Sequence, residues 1–279
     1  MSLLHPSPAF RLRSAPHYAT TLAITDLLDG LKLWRIWVML ALNDVNLRYR
    51  RSRIGQFWLT ISMAVTILAL GFVYSTIFQI ELKAYLPLLA YSLIIWSLIA
   101  GICNEGAGAF IEAEGYIRSA PWPKSIYVYR VLFRNFLFLL HNMILVPVVM
   151  LVFGLTPTPE LLYFIPALAL TLLTGVWISL LLGIFSARFR DLPPMIAAFM
   201  QIAFFLSPIM WTSSQLRGQF SMLIACNPFA AFLTILRDPL LGNPPEPGAW
   251  ISATVLAVVG FLVTLPFYAR FRSRISFYV

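Results

Sequence analysis

Phe57-Trp-Leu-Thr-Ile-Ser-Met-Ala-Val-Thr-Ile-Leu-Ala-Leu-Gly-Phe-Val-Tyr-Ser-Thr-Ile-Phe78 is an apolar stretch without a single charged residue. About 20 such residues in a helix, each rising 1.5 Å, cross the roughly 30 Å hydrocarbon core of a bilayer. Further apolar stretches follow at about 86–110, 131–155, 161–187, 195–212 and 249–269. The sequence therefore predicts an all-α integral membrane protein with six transmembrane helices.

Positive charge is distributed unevenly between these stretches. Of the 20 Lys and Arg residues, all but Lys83, Arg217 and Arg237 lie in alternate gaps, on the side that also holds both termini. Lys and Arg accumulate in cytoplasmic loops. The pattern therefore predicts a multi-pass protein whose two termini face the cytoplasm.

The composition restricts the class of function. The chain is 60% hydrophobic and only 11% charged, whereas a soluble domain is about 25% charged. The net charge of +9 does not indicate nucleic-acid binding, because the cations lie at the ends of apolar stretches, where they bind anionic lipid. We expect either a transporter or an enzyme embedded in the membrane.

The pattern divides the chain into four parts. Residues 1–29 are predicted to be a loose cytoplasmic leader, and residues 271–279 a cytoplasmic tail, on either side of a transmembrane domain at 56–270. Residues 30–55 have Trp34 and Trp37 at helical spacing with charges between them, which favours an amphipathic helix in the interface. Such a helix either anchors the chain or contacts a lipid-linked substrate.

The longest outer segment, residues 213–248, contains a half-length apolar piece broken by Asn227-Pro228. Half-length apolar pieces around a proline are typical of a re-entrant hairpin, whose backbone must be covered by protein or line a cavity. We therefore predict an outer re-entrant hairpin before the last span.

Among the polar residues within the predicted spans are Glu105, His141 and Asn142. Polar side chains at membrane depth either join helices by hydrogen bonds or contact a substrate. Small residues surround Glu105 in Gly101-Ile-Cys-Asn-Glu-Gly-Ala-Gly108, which favours close helix packing there. Both interpretations stay open for these three residues.

The chain lacks the residues that several kinds of chemistry require. The chain has no Gly-x-x-x-x-Gly-Lys-Ser/Thr loop for ATP, no His/Cys cluster at metal-ligand spacing, and almost no acidic residue in the middle of a span for proton coupling. The chain also has no internal repeat of the kind that is typical of an inverted-repeat carrier. A membrane transferase would have only Glu112 and Glu114 as candidate bases. We therefore predict no catalytic residues, no metal site and no cofactor bound by this chain.

Three segments resemble the permease subunits of ABC-2 type polysaccharide exporters, which move O-antigen, capsule or teichoic-acid polymers. They are Asn43-Asp-Val-Asn-Leu-Arg-Tyr-Arg-Arg-Ser-Arg-Ile-Gly-Gln-Phe-Trp58; Arg188-Phe-Arg-Asp-Leu192 with Gln201-Ile-Ala-Phe-Phe-Leu-Ser-Pro-Ile209; and Asn227-Pro-Phe229 with Arg237-Asp-Pro-Leu-Leu-Gly242. Their order, spacing and six-span setting are similar to the family's over residues 30–270.

The resemblance implies a homodimer around a central pore in the bacterial inner membrane, with two ATP-binding cassette subunits that bind ATP and Mg²⁺. The ATPase subunits are expected to contact a short cytoplasmic helix at about Glu112 to Lys124, with Glu112, Glu114, Arg118 and Lys124 as coupling residues. The hairpin at 213–236 is expected to act as an outer gate.

The resemblance also implies a polyprenyl-pyrophosphate-linked glycan as the substrate. Arginine is suited to bidentate phosphate contacts, so the expected contact residues where the substrate enters are Arg48, Arg50, Arg51, Arg53, Trp34 and Trp37. Anchoring to lipid headgroups is the alternative role for these arginines. Sugars stack on aromatic rings, and the expected pore-lining aromatics are Phe204, Phe205, Trp211, Phe229, Tyr74 and Tyr91.

The favoured function is that of the permease subunit in an ATP-driven exporter of lipid-linked polysaccharide, and O-antigen is the favoured polysaccharide. The alternatives are a capsule or teichoic-acid permease, an ABC-2 drug or lipid exporter, and a membrane transferase or flippase that works without ATP.

Overall fold

The computed structural model describes residues 16–50, 54–211 and 227–279, and no strand occurs in these ranges. The helices, numbered in chain order, are α1 (Pro16–Lys32), α2 (Trp34–Tyr49), α3 (Phe57–Phe78), α4 (Leu82–Gly108), α5 (Glu114–Ser119), α6 (Ser125–Met143), α7 (Leu145–Phe153), α8 (Phe164–Arg188), α9 (Leu192–Leu206), α10 (Pro228–Leu240), α11 (Pro247–Phe271) and α12 (Ile275–Tyr278).

Within the described residues, five helical segments are long and apolar enough to cross a membrane: Phe57–Phe78, Leu82–Gly108, Ser125–Phe153, Pro159–Arg188 and Pro247–Tyr278. This confirms the prediction of an all-α membrane protein. The third segment comprises α6 and α7, which meet at a turn at Ile144. Pro147 follows that turn, and because proline has no N–H it cannot complete the helical hydrogen-bond ladder across it.

The fifth span, predicted at 195–212, begins and ends earlier in the structure. It is the 15-residue helix α9, which measures about 22 Å at 1.5 Å per residue and is shorter than the hydrocarbon core. The helix ends because Pro208 favours an extended conformation at the residue before it. Ser207 accordingly has φ −95° and ψ 149°.

The helix α4 forms the centre of the bundle. It packs against α3, α6, α8, α9 and α10, and Leu89, Ile94 and Ile95 on it have no exposed surface. The contact with α8 is especially close: a Cβ added to Gly106 would lie 2.5 Å from Ser179 Oγ and 3.0 Å from Ser179 Cα. The small residues near the end of α4 therefore serve helix packing, as the sequence predicts.

The helix α3 lies at the outside of the protomer. Val65, Leu68 and Phe72 are 60%, 60% and 69% exposed. An apolar face of this size at membrane depth contacts lipid or another protein, because no other environment accommodates it.

The segment before α2 differs from the expected loose leader. Residues 16–32 form α1, which packs against α6 and α11. Its buried face consists of Ala23, Asp26 and Gly30. Gly30 permits the close approach, since a Cβ there would lie 2.1 Å from Ser125 Oγ. Small and polar side chains give no apolar periodicity, so the pattern in the sequence does not indicate this helix.

The interfacial helix predicted at 30–55 is α2. Its apolar residues Leu40, Ala41 and Val45 are buried, and the helix packs against α6. Residues 1–15, 51–53 and 212–226 lie outside the described residues, and with them lie Arg51, Arg53 and the first half of the predicted outer hairpin. The second half of that hairpin is α10, whose buried face packs against α4, α8 and α11.

The folded chain brings its dispersed arginines to one end of the bundle. Arg118 donates to the carbonyl of Val279, Arg190 to that of Tyr278, and Arg272 to that of Leu22. We call this the basic end; it carries the ends of α1, α2, α4, α6 and α8. The uneven charge distribution in the sequence is therefore also a spatial separation.

Candidate functional site

The segment predicted to couple to an ATPase lies at the basic end. It comprises α5, whose cap Ala120 is extended, and then Pro121-Trp-Pro123. Ile117 is buried and fixes α5 to the bundle, while Arg118 is exposed and pairs with Glu114 at 2.8 Å. Pro121 and Pro123 keep the chain extended after the helix. The result is a short rigid element at the surface of the basic end.

The four predicted coupling residues do not form one surface. Glu114 and Arg118 lie together on α5. The carboxylate of Glu112 instead accepts a hydrogen bond of 3.2 Å from Arg134, towards the bundle. The backbone N–H of Lys124 donates to Asp26 at 3.1 Å. Only Glu114 and Arg118 are therefore arranged as a side-chain pair on the exposed helix.

Asp26 connects three parts of the chain at this end. Its side chain is 6% exposed. The backbone N–H groups of Lys124 and Ser125, the hydroxyl of Tyr268 and the guanidinium of Arg272 all donate to its carboxylate, at 2.7–3.2 Å. A buried carboxylate with several charge-assisted hydrogen bonds is a strong structural contact. Asp26 therefore fixes the end of the coupling segment to α1 and α11.

A groove of about 730 Å³ lies between three parts of the chain. They are the predicted coupling segment at about residues 112–124, the helix α1, and residues 272–276, which we call the C-terminal turn. Asp26, Asp29, Arg118, Trp122 and Lys124 are among the residues that line it. Burial lowers the pKa of Lys124, and the nearby Arg272 lowers it further, although Asp26 acts in the opposite direction. The groove therefore presents acidic, basic and aromatic side chains together at the basic end.

A second cluster of charges lies where α2, α4 and α6 meet. Arg130 makes two hydrogen bonds to Asp44, at 2.6 and 2.5 Å. Arg134, whose side chain is 5% exposed, donates to Asp44 at 2.9 Å and to Glu105 at 2.8 Å. Because buried guanidinium groups must be paired, this cluster fixes the relative positions of the three helices.

Glu105 therefore has a structural role as an acceptor for Arg134 and for Asn135, which also donates at 2.8 Å. The second oxygen of Glu105 accepts from Arg48 at 3.1 Å. The Arg48 side chain is 46% exposed. Arg48 is thus the predicted substrate-contact arginine that lies at the edge of this cluster, and it is partly available to a ligand.

The other predicted substrate-contact residues are dispersed. Arg50 is exposed just after α2, and Trp34 is 53% exposed. Trp37 instead packs against Tyr129 and Phe133, with ring centroids 6.1 and 5.4 Å apart. Its position in the helix contact between α2 and α6 differs from the expected surface position.

The predicted pore aromatics separate into two groups. Trp96 contacts Phe204 and Phe229, with centroid distances of 5.9 and 5.6 Å, and Phe205 beside Phe204 is 61% exposed. Tyr91, in contrast, has no exposed surface.

A fully buried ring offers no face to a solute, so the position of Tyr91 does not fit a pore lining. Tyr74 packs on Phe78 with centroids 5.6 Å apart, and the indole N–H of Trp211 donates to the carbonyl of Phe205.

The irregular backbone after α9 is held by three side chains from elsewhere. Arg237 donates to the carbonyl of Pro208 at 2.8 Å, Tyr85 to that of Met210 at 2.7 Å, and Asn227 to that of Leu206 at 3.2 Å. Asn227 also caps α10 by accepting from the N–H of Phe229. Irregular backbone at membrane depth must be satisfied by protein groups, and these residues, which we call the outer lock, do so.

The pattern of the sequence does not indicate the cluster of Asp44, Arg130 and Arg134, although these charges border helical segments. A signal was present: Arg130 and Arg134 are one turn apart on α6 and therefore share a face. Among residues 16–50, 54–211 and 227–279, no group of three or more His, Cys, Asp or Glu side chains could hold a metal ion.

The all-helical fold, with five membrane-length segments in the described part of the chain, is that of a multi-pass membrane protein. The chain matches the ABC-2 type transporter family over residues 36–241, and it belongs to that family.

Its relatives include two proteins of Klebsiella pneumoniae, each called O-antigen export system permease protein RfbA. One is 24% identical over 86% of this chain and 92% of the relative, and the other is 23% identical over 84% and 89%. A protein of the same name from Myxococcus xanthus is 20% identical over 71% of this chain and 76% of the relative.

Proposed function

We propose that this chain is the transmembrane subunit of an ATP-driven exporter that moves lipid-linked polysaccharide, specifically O-antigen, from the cytoplasm across the inner membrane. The observation that carries the proposal is membership of the ABC-2 family together with similarity, over most of the chain, to permeases named for O-antigen export. The chain has no phosphate-binding loop of its own. Separate ATP-binding cassette subunits would therefore bind ATP and Mg²⁺.

In this proposal the ATPase subunits dock at the groove between α1, the coupling segment and the C-terminal turn. The groove lies on the side that the positive charge assigns to the cytoplasm. α5 is attached to the bundle through Ile117, and the segment that follows it ends at the contacts of Asp26. A push on α5 would therefore move α6 and α11 as rigid bodies.

The exposed apolar face of α3 and the exposed Phe205 of α9 support a homodimer. A second copy of this chain would face these surfaces and close a path between the protomers. Phe204, Phe205 and Phe229 would then border the path of the glycan, since aromatic rings provide large contact area at low entropic cost. The outer lock would hold the end of α9 at the far side of that path.

The test is deletion of the gene in its host, followed by localisation of the lipid-linked glycan. We expect surface O-antigen to disappear and lipid-linked polymer to accumulate on the cytoplasmic face. A plasmid copy of the wild-type gene should restore the surface polymer, and a copy with Lys83→Met, a change at an exposed outer position, should restore it equally.

Other outcomes would support other functions. Loss of capsule or of teichoic acid instead of O-antigen would assign the permease to that polymer. Normal surface glycan in the deletion strain would contradict polysaccharide export as its function.

A further inference from the structure

A cavity of about 370 Å³ lies between α3, α4 and α6, next to the exposed guanidinium of Arg48. This volume is within the range of small-molecule sites. The lining of the cavity includes Arg48, Ser62, Trp96, Ser97, Glu105 and Asn142. Glu105 and Ser97 are eight residues apart on one helix, or about 12 Å along its axis. The cavity therefore extends from the charged cluster at the basic end into the membrane-spanning region.

Asn142 has an unpaired polar atom at this cavity. The residue is 2% exposed, and its Oδ1 has no hydrogen-bond partner in the part of the chain that the structure describes. A buried acceptor without a partner costs about 1–3 kcal/mol. The hydrogen bond between helices at this level is made by the residue before Asn142, since Thr60 donates to the backbone carbonyl of His141 at 2.9 Å. Helix association therefore does not account for the Asn142 amide.

The two serines of the lining add further acceptors. Ser62 Oγ donates to the carbonyl of Leu59 at 2.9 Å, and Ser97 Oγ donates to that of Ile94 at 2.6 Å. Since each hydroxyl has one proton, both oxygens remain as acceptors. The inner part of the cavity thus presents acceptors to a ligand that carries hydroxyl donors.

The two ends of the cavity fit one kind of ligand. Arg48, at the charged end, is suited to a phosphate group. The serines and Asn142, at the other end, are suited to the hydroxyl groups of a sugar. A sugar joined to a diphosphate carries hydroxyl donors at one end and an anionic group at the other.

We propose that this cavity binds the first sugar of a lipid-linked glycan, with the adjoining diphosphate at Arg48. This inference rests on the proposed function and adds a sugar site formed by Ser62, Ser97 and Asn142. The Asn142 amide then acts as a binding group whose acceptor is satisfied only when a sugar hydroxyl is present.

The first experiment compares Asn142→Leu with Asn104→Leu. Asn104 is the matched control, because its Oδ1 is also buried without a partner in the described residues but does not line this cavity. Both changes remove an unpaired acceptor, so we expect neither to lower the thermal midpoint of the purified protein. We expect Asn142→Leu to reduce the rate of surface polymer appearance at least tenfold and Asn104→Leu to leave it unchanged.

Wild-type export by Asn142→Leu would overturn the sugar site while leaving the exporter function intact. Normal surface polymer in the deletion strain would instead contradict the exporter function itself. These two failures are therefore distinguishable.

A second experiment covers the case in which Asn142→Leu does not fold. Ser97→Cys, in a background with Cys103 and Cys226 replaced by Ser, is labelled with a maleimide in membrane vesicles. We expect an isoprenyl diphosphate that carries one hexose to slow the labelling at least fivefold. Equal protection by the same diphosphate without the hexose, by phosphatidylglycerol vesicles, or by none of the three would overturn the proposal.

Discussion

Tyr268, near the end of the last membrane helix, donates a hydrogen bond of 2.7 Å to Asp26 in α1. The two residues are separated by almost the whole chain, and the same carboxylate accepts the N–H groups at the start of α6. A single buried aspartate therefore joins the two ends of the chain to the segment that we propose as the ATPase contact.

Replacing Asp26 by Asn should destabilise the protein by about 3 kcal/mol, because Arg272 loses its charge partner. The new amide N–H group would also face the groups that now donate hydrogen bonds to the Asp26 carboxylate. Thermal unfolding in detergent measures this. Asp29→Asn is the control, since Asp29 is exposed and pairs with Lys32; there we expect a change within about 0.5 kcal/mol. Equal effects of the two changes would contradict the central position of Asp26.

Replacing Arg134 by Met should cost about 3–5 kcal/mol, because it leaves the partly buried carboxylates of Asp44 and Glu105 without a shared cation. Combining Arg134→Met with Glu105→Gln should recover part of this loss, since the second change removes a carboxylate that has lost its contact with Arg134. Denaturant unfolding of the two single variants and the double variant gives the coupling energy. Additive effects would show that the two side chains act independently.

Labelling the lysines with an amine-reactive acylating agent should distinguish Lys124. Its pKa is lowered chiefly by burial, so we expect half-maximal reactivity at a lower pH than for an ordinary lysine. Asp26→Asn removes the carboxylate that raises this pKa and should shift the curve to still lower pH. A shift to higher pH would contradict the assigned electrostatics.

The same lowered pKa has a consequence for stability. Between the folded pKa and the ordinary value of 10.5, the unfolded state binds the Lys124 proton while the folded state does not. The contribution of Lys124 to the free energy of unfolding therefore increases as the pH rises through that window. Lys124→Gln should remove this increase in unfolding experiments on the alkaline side.

The coupling segment can be tested by changes that leave the hydrogen bonds of Asp26 to Lys124 and Ser125 intact. The triple change Arg118→Ala, Pro121→Ser and Trp122→Ala alters residues that line the groove and leaves Glu112 and Lys124 in place. We expect normal membrane insertion and at least a tenfold loss of ATPase subunit on co-purification. Arg35→Ser with Met39→Ser, on the exposed surface of α2, is the control. Unchanged co-purification of the triple variant would show that the ATPase docks elsewhere.

Replacing Arg237 by Lys should loosen the outer lock. The guanidinium is 9% exposed and donates to both Pro208 and Asp238, and an ammonium group cannot reproduce this planar geometry. We expect faster hydrogen exchange at residues 205–211 and a lower rate of polymer export. Lys83→Met, also at the outer end, should change neither. Unaltered exchange in Arg237→Lys would mean that the Pro208 carbonyl has another partner.

Part of this architecture could be predicted because it depends on local chemistry. An uncharged stretch such as Phe57–Phe78 is long enough to span a bilayer wherever it is placed, and the excess of Arg and Lys in alternate gaps does not depend on packing. Asn227 and Arg237 can be singled out because their segments resemble those of the ABC-2 exporter family. Their partners, the backbone carbonyls of Leu206 and Pro208, cannot, because a backbone carbonyl leaves no signal in a sequence.

The sequence by itself determined the fold class, the separation of charge, and the absence of a phosphate-binding loop, since each depends on composition and order along the chain. Only the tertiary structure decided that Asp26 is buried beneath the coupling segment, that Glu105 pairs with Arg134, and that Asn142 faces a cavity. Those facts depend on contacts between helices far apart in the sequence, where small residues such as Gly30 and Gly106 determine how closely the helices approach.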